Sequence, residues 1–188
     1  EQVGLVVHDL GGPIGLHWAV GRTERLIDLA LLNTLVFPQM SWAVKVFVAA
    51  SMLPGVRGLL SSPTGLAWAM RFGVVNKGQI TEAVAAMYQE PFASHASRRA
   101  LLKTAHALHI KGFATIADGL AAIDVPVRMI YGASDRILPD VAQTMERVRE
   151  RIPHAEITAI PDCGHFLQED RPDEVARLLA EFLSKTVA

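Results

Sequence analysis

The sequence predicts an α/β fold built on a parallel sheet, and three observations carry that prediction. Short apolar runs at Gly4–Val7, Leu26–Leu32, Val127–Tyr131 and Glu156–Ile160 alternate with segments of helical periodicity. Hydrophobic residues make up 51% of the 188, a composition that strands buried on both faces would produce. The first, third and last runs each stop at a turn with a reactive side chain just past it: Asp9, Asp135 or His165. Those strand ends are where open parallel sheets bind ligands. Helices are expected on both faces of the sheet.

The first run breaks abruptly at His8-Asp9-Leu10-Gly11-Gly12-Pro13 and resumes as a helical pattern from Ile14 to Val20. A buried strand, a tight turn carrying one acid and a helix starting on glycines form a strand–nucleophile–helix elbow, which holds its nucleophile clear of the sheet. Arg22–Arg25 is a polar connection to the second strand, which ends at Asn33-Thr34. From Phe37-Pro38 to about Ala122 the pattern is helical and loop-rich. Ser41–Leu53 has an apolar face interrupted by Pro54-Gly55, and Pro63–Phe72 follows. A further helix starts at an N-capping Thr81, with two more over Ser97–His106 and Gly112–Ala122. The third strand, a helix over Val141–Ile152, the last strand and an amphipathic helix over Pro172–Leu183 complete the chain. The organisation expected is a core of residues 1–38 and 123–188, with residues 39–122 as a helical lid inserted between strands.

The formal net charge of −1, from 18 basic and 19 acidic residues, gives no case for nucleic acid or an anionic membrane as partner. The single cysteine, Cys163, excludes an intramolecular disulfide and a cysteine metal cluster; it fits a reducing compartment, so a cytoplasmic location is expected. No apolar run approaches the roughly 18 residues of a membrane span. His95, His106 and His109 are dispersed through the helical segment, so no metal is expected, and no cofactor either. The chain opens on Glu1-Gln2 without an initiator methionine or signal-peptide character and is at once in a buried-looking strand, so an upstream part is expected to be missing.

Taken singly, the three polar residues have ordinary readings: Asp9 as a helix N-cap, Asp135 as a turn residue and His165 as a loop histidine bonded to backbone. Together, in the order nucleophile, acid, histidine, they follow the chain order of α/β-hydrolase triads.

With those residues in view, the chain resembles the C-terminal two thirds of an α/β-hydrolase of the haloalkane dehalogenase family. Val6–Gly15 resembles the family's nucleophile elbow, and Met87–Phe92 with Arg98-Arg99 a lid segment. Gly132-Ala133-Ser134-Asp135 resembles the acid turn, and Gly164–Pro172 the histidine loop. The resemblance implies an α/β-hydrolase fold with its N-terminal strands absent from this chain. It implies Asp9 as nucleophile, Asp135 as the acid orienting the histidine, His165 as general base and the Leu10 backbone N–H as an oxyanion donor. The implied substrate is a small apolar organic molecule, consumed with water. Asn33, Trp42, Trp68, Tyr88, Pro91, Phe92 and Phe166 are candidates to line the pocket. For Trp42 and Trp68, packing roles are the alternative, and for Asn33 a structural amide.

An aspartate at the elbow fixes the chemistry. A carboxylate attacks ester carbonyls poorly but can displace a leaving group from saturated carbon, giving an alkyl ester that activated water then hydrolyses. Two departures from the family pattern bear on this. The residue after the nucleophile is Leu10, where family members usually carry a Trp whose indole N–H holds the departing halide; Val7 takes the place of a small elbow residue. Epoxide hydrolysis uses the same trio but wants two lid tyrosines, and the lid offers only Tyr88. A truncated, non-catalytic fragment is the third reading; its first strand would present an unpaired edge open to association with an upstream segment or another chain.

Overall fold

A computed structural model describes residues 1–107 and 109–185. Among them, four parallel strands form one sheet in the order β1 (Val3–Asp9), β2 (Leu26–Thr34), β3 (Val127–Gly132), β4 (Glu156–Ile160). All four carboxyl ends therefore point the same way. Between the strands lie α1 (Gly11–Val20) after β1 and α8 (Val141–Arg151) after β3. Among the described residues six α-helices separate β2 from β3: α2 (Trp42–Ser51), α3 (Pro54–Leu60), α4 (Pro63–Gly73), α5 (Glu82–Gln89), α6 (His95–Ala107) and α7 (Ile110–Gly119). After β4 come a single turn, α9 (Leu167–Asp170), and α10 (Pro172–Leu183).

The two-residue period of the strands divides the core. Leu29 and Leu31 of β2 and Met129 of β3 pack with Leu16 of α1, Phe113 and Ile116 of α7 and Met145 of α8. The alternate residues Leu32 and Ile130 pack on the other face with Cys163, Leu167, Val175 and Leu178. Helices thus cover both faces, as the apolar strands require. Every residue of β2 except Ile27 is buried, while β1 is an edge strand whose pairing among the described residues is with β2 alone.

Most predicted elements are present with ends moved by no more than three residues, and the last strand (Glu156–Ile160) and last helix (Pro172–Leu183) coincide at both ends. Ser41 caps α2 by accepting from the Val44 N–H (3.3 Å), and Thr81 caps α5 by accepting from Val84 (3.2 Å). Pro54 both closes the preceding helix and opens α3, because proline at the first turn has no N–H to lose. The tryptophans correct the sequence reading. In α4 the small residues Gly65, Ala67 and Gly73, with Met70, are the buried ones, so Trp68 turns outward, 61% exposed, and stacks on Phe72 at 5.3 Å. Trp42, at the start of α2, is 73% exposed. Neither is a core residue. No single described helix is long and apolar enough to cross a membrane.

Candidate active site

The elbow between β1 and α1 is built by backbone geometry. Strand pairing shifts register between His8 and Asp9, and Asp9 takes a left-handed backbone (φ 48°). That conformation is costly for most side chains, and aspartate is among the few that tolerate it. Its carbonyl accepts from the Thr34 hydroxyl (2.6 Å), which ties the bend to the end of β2. Gly12 lies so close to Thr34 that any Cβ there would collide with it. The Asp9 side chain emerges 39% exposed, at the N-terminal end of α1. The adjacent Leu10 backbone N–H contributes to lowering its pKa.

Asp135, just past β3, is fully buried at its side chain and has four donors. Its Oδ1 accepts from the backbone N–H groups of Ile137 and Leu138 (2.8 Å each), and its Oδ2 from Asn33 Nδ2 (2.6 Å) and His165 Nδ1 (2.8 Å). Burial pushes its pKa upward, but these bonds and the imidazole outweigh burial and hold it below the ordinary carboxylate range. Asn33 is a correction to the expected pocket lining: it is fully buried, and its Oδ1 accepts from the Gly132 N–H (2.9 Å). The amide clamps the acid, as its place at the carboxyl end of β2, beside the end of β3, allows.

His165 faces both carboxylates, with Nδ1 on Asp135 and Nε2 3.4 Å from Asp9 Oδ1. Burial works against its protonation, yet the bonds and charges of Asp135 and Asp9 overcome that and raise its pKa to about 9. Asp9 is lowered in return: burial raises it, and the His165 interaction more than reverses the effect. Backbone bonds fix the ring. The His165 N–H donates to the Gly73 carbonyl (2.7 Å), and the His165 carbonyl accepts from His8 Nε2 (2.9 Å). Buried Asp170, on the turn after the histidine, accepts from the N–H groups of Gly164 (2.7 Å), Val75 (2.9 Å) and Asn76 (2.9 Å), joining the histidine loop to the end of α4. Asp170 and His8 were not expected in these roles; an acid five residues after the histidine gives no sequence signal of the amides it will meet. Burial, then the neighbouring His165, lowers the His8 pKa, so it is a neutral donor.

A model of the alpha/beta hydrolase family matches residues 1–178. The chain belongs to the alpha/beta hydrolase family. Among its relatives, a cis-3-alkyl-4-alkyloxetan-2-one decarboxylase of Shewanella oneidensis is 27% identical over 202 residues, covering 99% of this chain and 61% of that protein. A haloalkane dehalogenase of Mycolicibacterium smegmatis is 27% identical over 200 residues, covering 97% of this chain and 62% of that protein. The crystal structure of DBJA superposes with a TM-score of 0.81 at 21% identity, over 98% of this chain and 68% of that one. This alpha/beta hydrolase chain therefore spans a little over three fifths of the length of those curated relatives.

The remaining expected residues divide. Phe166 lies edge-on to the His165 ring at 5.0 Å, in the same cluster as Tyr88. Tyr88 donates its hydroxyl to Glu169 (2.7 Å), and burial, reinforced by that carboxylate, raises its pKa. Pro91 is exposed and Phe92 half-buried, its carbonyl accepting from Arg98 (3.1 Å). Trp42 lines a surface cavity of about 510 Å³ with Gln39, Met40, Asp140 and Arg147, which includes none of Asp9, Asp135 and His165. Among the described residues, no three His, Cys, Asp or Glu side chains come together as a metal site.

The pKa shifts give a stability profile. His165 is raised, so its contribution is complete below its unfolded value of 6.5 and is lost as pH climbs through about 9. Asp9 and Asp135 are lowered, so theirs is present above their unfolded value of 3.8 and lost at more acid pH. The urea midpoint is expected to be higher at about pH 5.5 than at about pH 9.5, and His165→Phe should flatten that difference.

Proposed function

We propose that the protein cleaves a bond at saturated carbon through a covalent ester on Asp9, with haloalkane hydrolysis as the reaction, and that residues 39–122 form the lid over the site. The observation that carries this is the approach of His165 Nε2 to Asp9 Oδ1 at 3.4 Å, with Asp135 behind the imidazole. The Asp9 carboxylate, ionised and partly exposed, attacks the carbon in line; the carbon–halogen bond breaks and halide departs. Esterification removes the Asp9 charge, one of the two that hold the His165 proton. The pKa of His165 then falls, it releases its proton to solvent, and the neutral imidazole takes a proton from water as that water attacks the ester carbonyl. Asp135 stabilises the resulting imidazolium, and the Leu10 N–H supports the oxyanion. The imidazolium gives its proton to the departing alkoxide, the alcohol leaves with the ester oxygen, and the Asp9 carboxylic acid passes its proton to His165 and returns as carboxylate. His165 acts on water in the second step, not on the nucleophile in the first.

Leu10 favours a second reading. Its side chain offers no donor to a departing halide, so a leaving group that stays attached suits the site better. A strained oxetan-2-one, the substrate class named for the Shewanella relative, meets that need. Asp9 would open the ring at C4, breaking the C4–O bond and leaving a carboxylate on C3. Loss of carbon dioxide from C3 would send its electron pair into a C3–C4 double bond as the ester C–O bond breaks, restoring Asp9 without water. We place the protein in the cytoplasm, in keeping with the free, buried Cys163. We also place the residues that complete the sheet, from upstream or another chain, against the free edge of β1.

The test is to give the full-length protein a panel of haloalkanes and a cis-dialkyl oxetan-2-one. Saturable halide release supports hydrolysis. Alkene and carbon dioxide without halide support the second reading. Neither product from any substrate removes both.

A further inference from the structure

The helical segment between β2 and β3 carries a surface that the site chemistry leaves unused. In α2 only Val44 and Ser51 are buried, and α3 has no buried residue. Trp42, Val46, Phe47, Met52, Leu53 and Leu59 are all more than half exposed along this bent pair of helices. Helices apolar on nearly every side ordinarily sit inside a protein or a membrane, and a contiguous exposed face of this kind marks a contact surface.

Charge identifies the other side of that contact. From Leu29 to Thr81 there is no Asp or Glu, while Lys45, Arg57, Arg71 and Lys77 are present. Residues 39–122 hold eight Lys or Arg and three Asp or Glu, a net +5; the rest of the chain holds ten and sixteen, a net −6. The near-neutral total conceals this division. Lys45 and Arg57 are both exposed and sit within the apolar face itself. A second copy packed on this face about a two-fold axis would set like charges against one another. A surface of anionic headgroups over acyl chains satisfies both properties at once: the basic residues meet phosphate, and Trp42 and its apolar neighbours enter the interface.

We infer that α2 and α3 dock the protein on an anionic phospholipid bilayer, lying in its surface without crossing it. This rests on the outer face of the helical segment and not on the reaction proposed above, so either stands if the other fails.

The test is flotation of the full-length protein with vesicles of phosphatidylcholine alone or with about one quarter phosphatidylglycerol, at low and high salt. Binding is expected to the anionic vesicles only and to weaken at least about 10-fold between roughly 0.05 and 0.5 M NaCl. Lys45→Glu/Arg57→Glu should lower partition by about 25-fold or more, near 5-fold for each basic residue removed. Trp42→Ser/Phe47→Ser should lower it as well, with an unchanged thermal melt. The composition and salt dependence of the wild-type protein test the inference without any variant. Failure to bind either vesicle at low salt would overturn it, as would binding indifferent to lipid charge and to both variants. Self-association in solution that Trp42→Ser/Phe47→Ser removes, without vesicle binding, would assign the face to a second copy instead.

Discussion

Asp9→Asn is expected to abolish turnover on whichever substrate proves active, lowering it by at least about 10⁴-fold, the scale seen when a covalent nucleophile is removed. The change is nearly isosteric, and asparagine, like aspartate, tolerates the left-handed backbone at φ 48°. The Thr34 bond is to the Asp9 carbonyl and survives, so the fold should stay intact. Steady-state assays with a thermal melt beside them separate lost chemistry from lost structure. A second readout belongs to this variant. The substituted amide carries no charge, as the ester would not, so the His165 titration observed by NMR should move down from about 9. An unmoved titration would mean that Asp9 does not sense the imidazole, and the handover of charge between the two half-reactions would fail with it.

His165→Gln separates the two chemical readings. In hydrolysis the first displacement needs only Asp9, so alkylation should proceed once and stop. Steady-state turnover should fall by about 10²- to 10⁴-fold, the range for a lost general base, while the mass of the substrate's alkyl group appears on the peptide containing Asp9. In ring opening followed by loss of carbon dioxide, no water is activated, and alkene production should continue with no adduct accumulating. Loss of all reaction with no adduct would show that the imidazole is needed before the first bond forms, against both schemes.

Much of this molecule is legible in its residues. The four strands, their parallel arrangement and the helices covering both faces follow from apolar runs punctuated by turns, although only β2 and β3 are largely buried: β1, expected as a buried strand, and β4 lie at the sheet edges with one buried residue each. The trio Asp9, Asp135 and His165 is legible because strand ends converge; the elbow glycines add a steric reason, since Gly12 permits the approach of α1 to Thr34. What could not be read is how the trio is held. Asn33 looks like a turn amide until β2 and β3 are set side by side, when its two ends reach the acid and the Gly132 N–H. Asp170 acquires its role only because α4 ends beside the histidine loop. Trp42 and Trp68 mislead for the opposite reason, as large aromatic rings in helical patterns are read as inward-facing when the small residues of α4 are the buried ones.

The bond from the His165 N–H to the Gly73 carbonyl, with Asp170 bridging the same two segments, makes the last turn of α4 a bearing for the imidazole. Any displacement of that turn would pull on the bearing and tilt the ring away from Asp9. The alignment of the imidazole is therefore shared between two segments far apart in the chain, and a change in the packing of α4 can reach the centre without touching any of its three side chains.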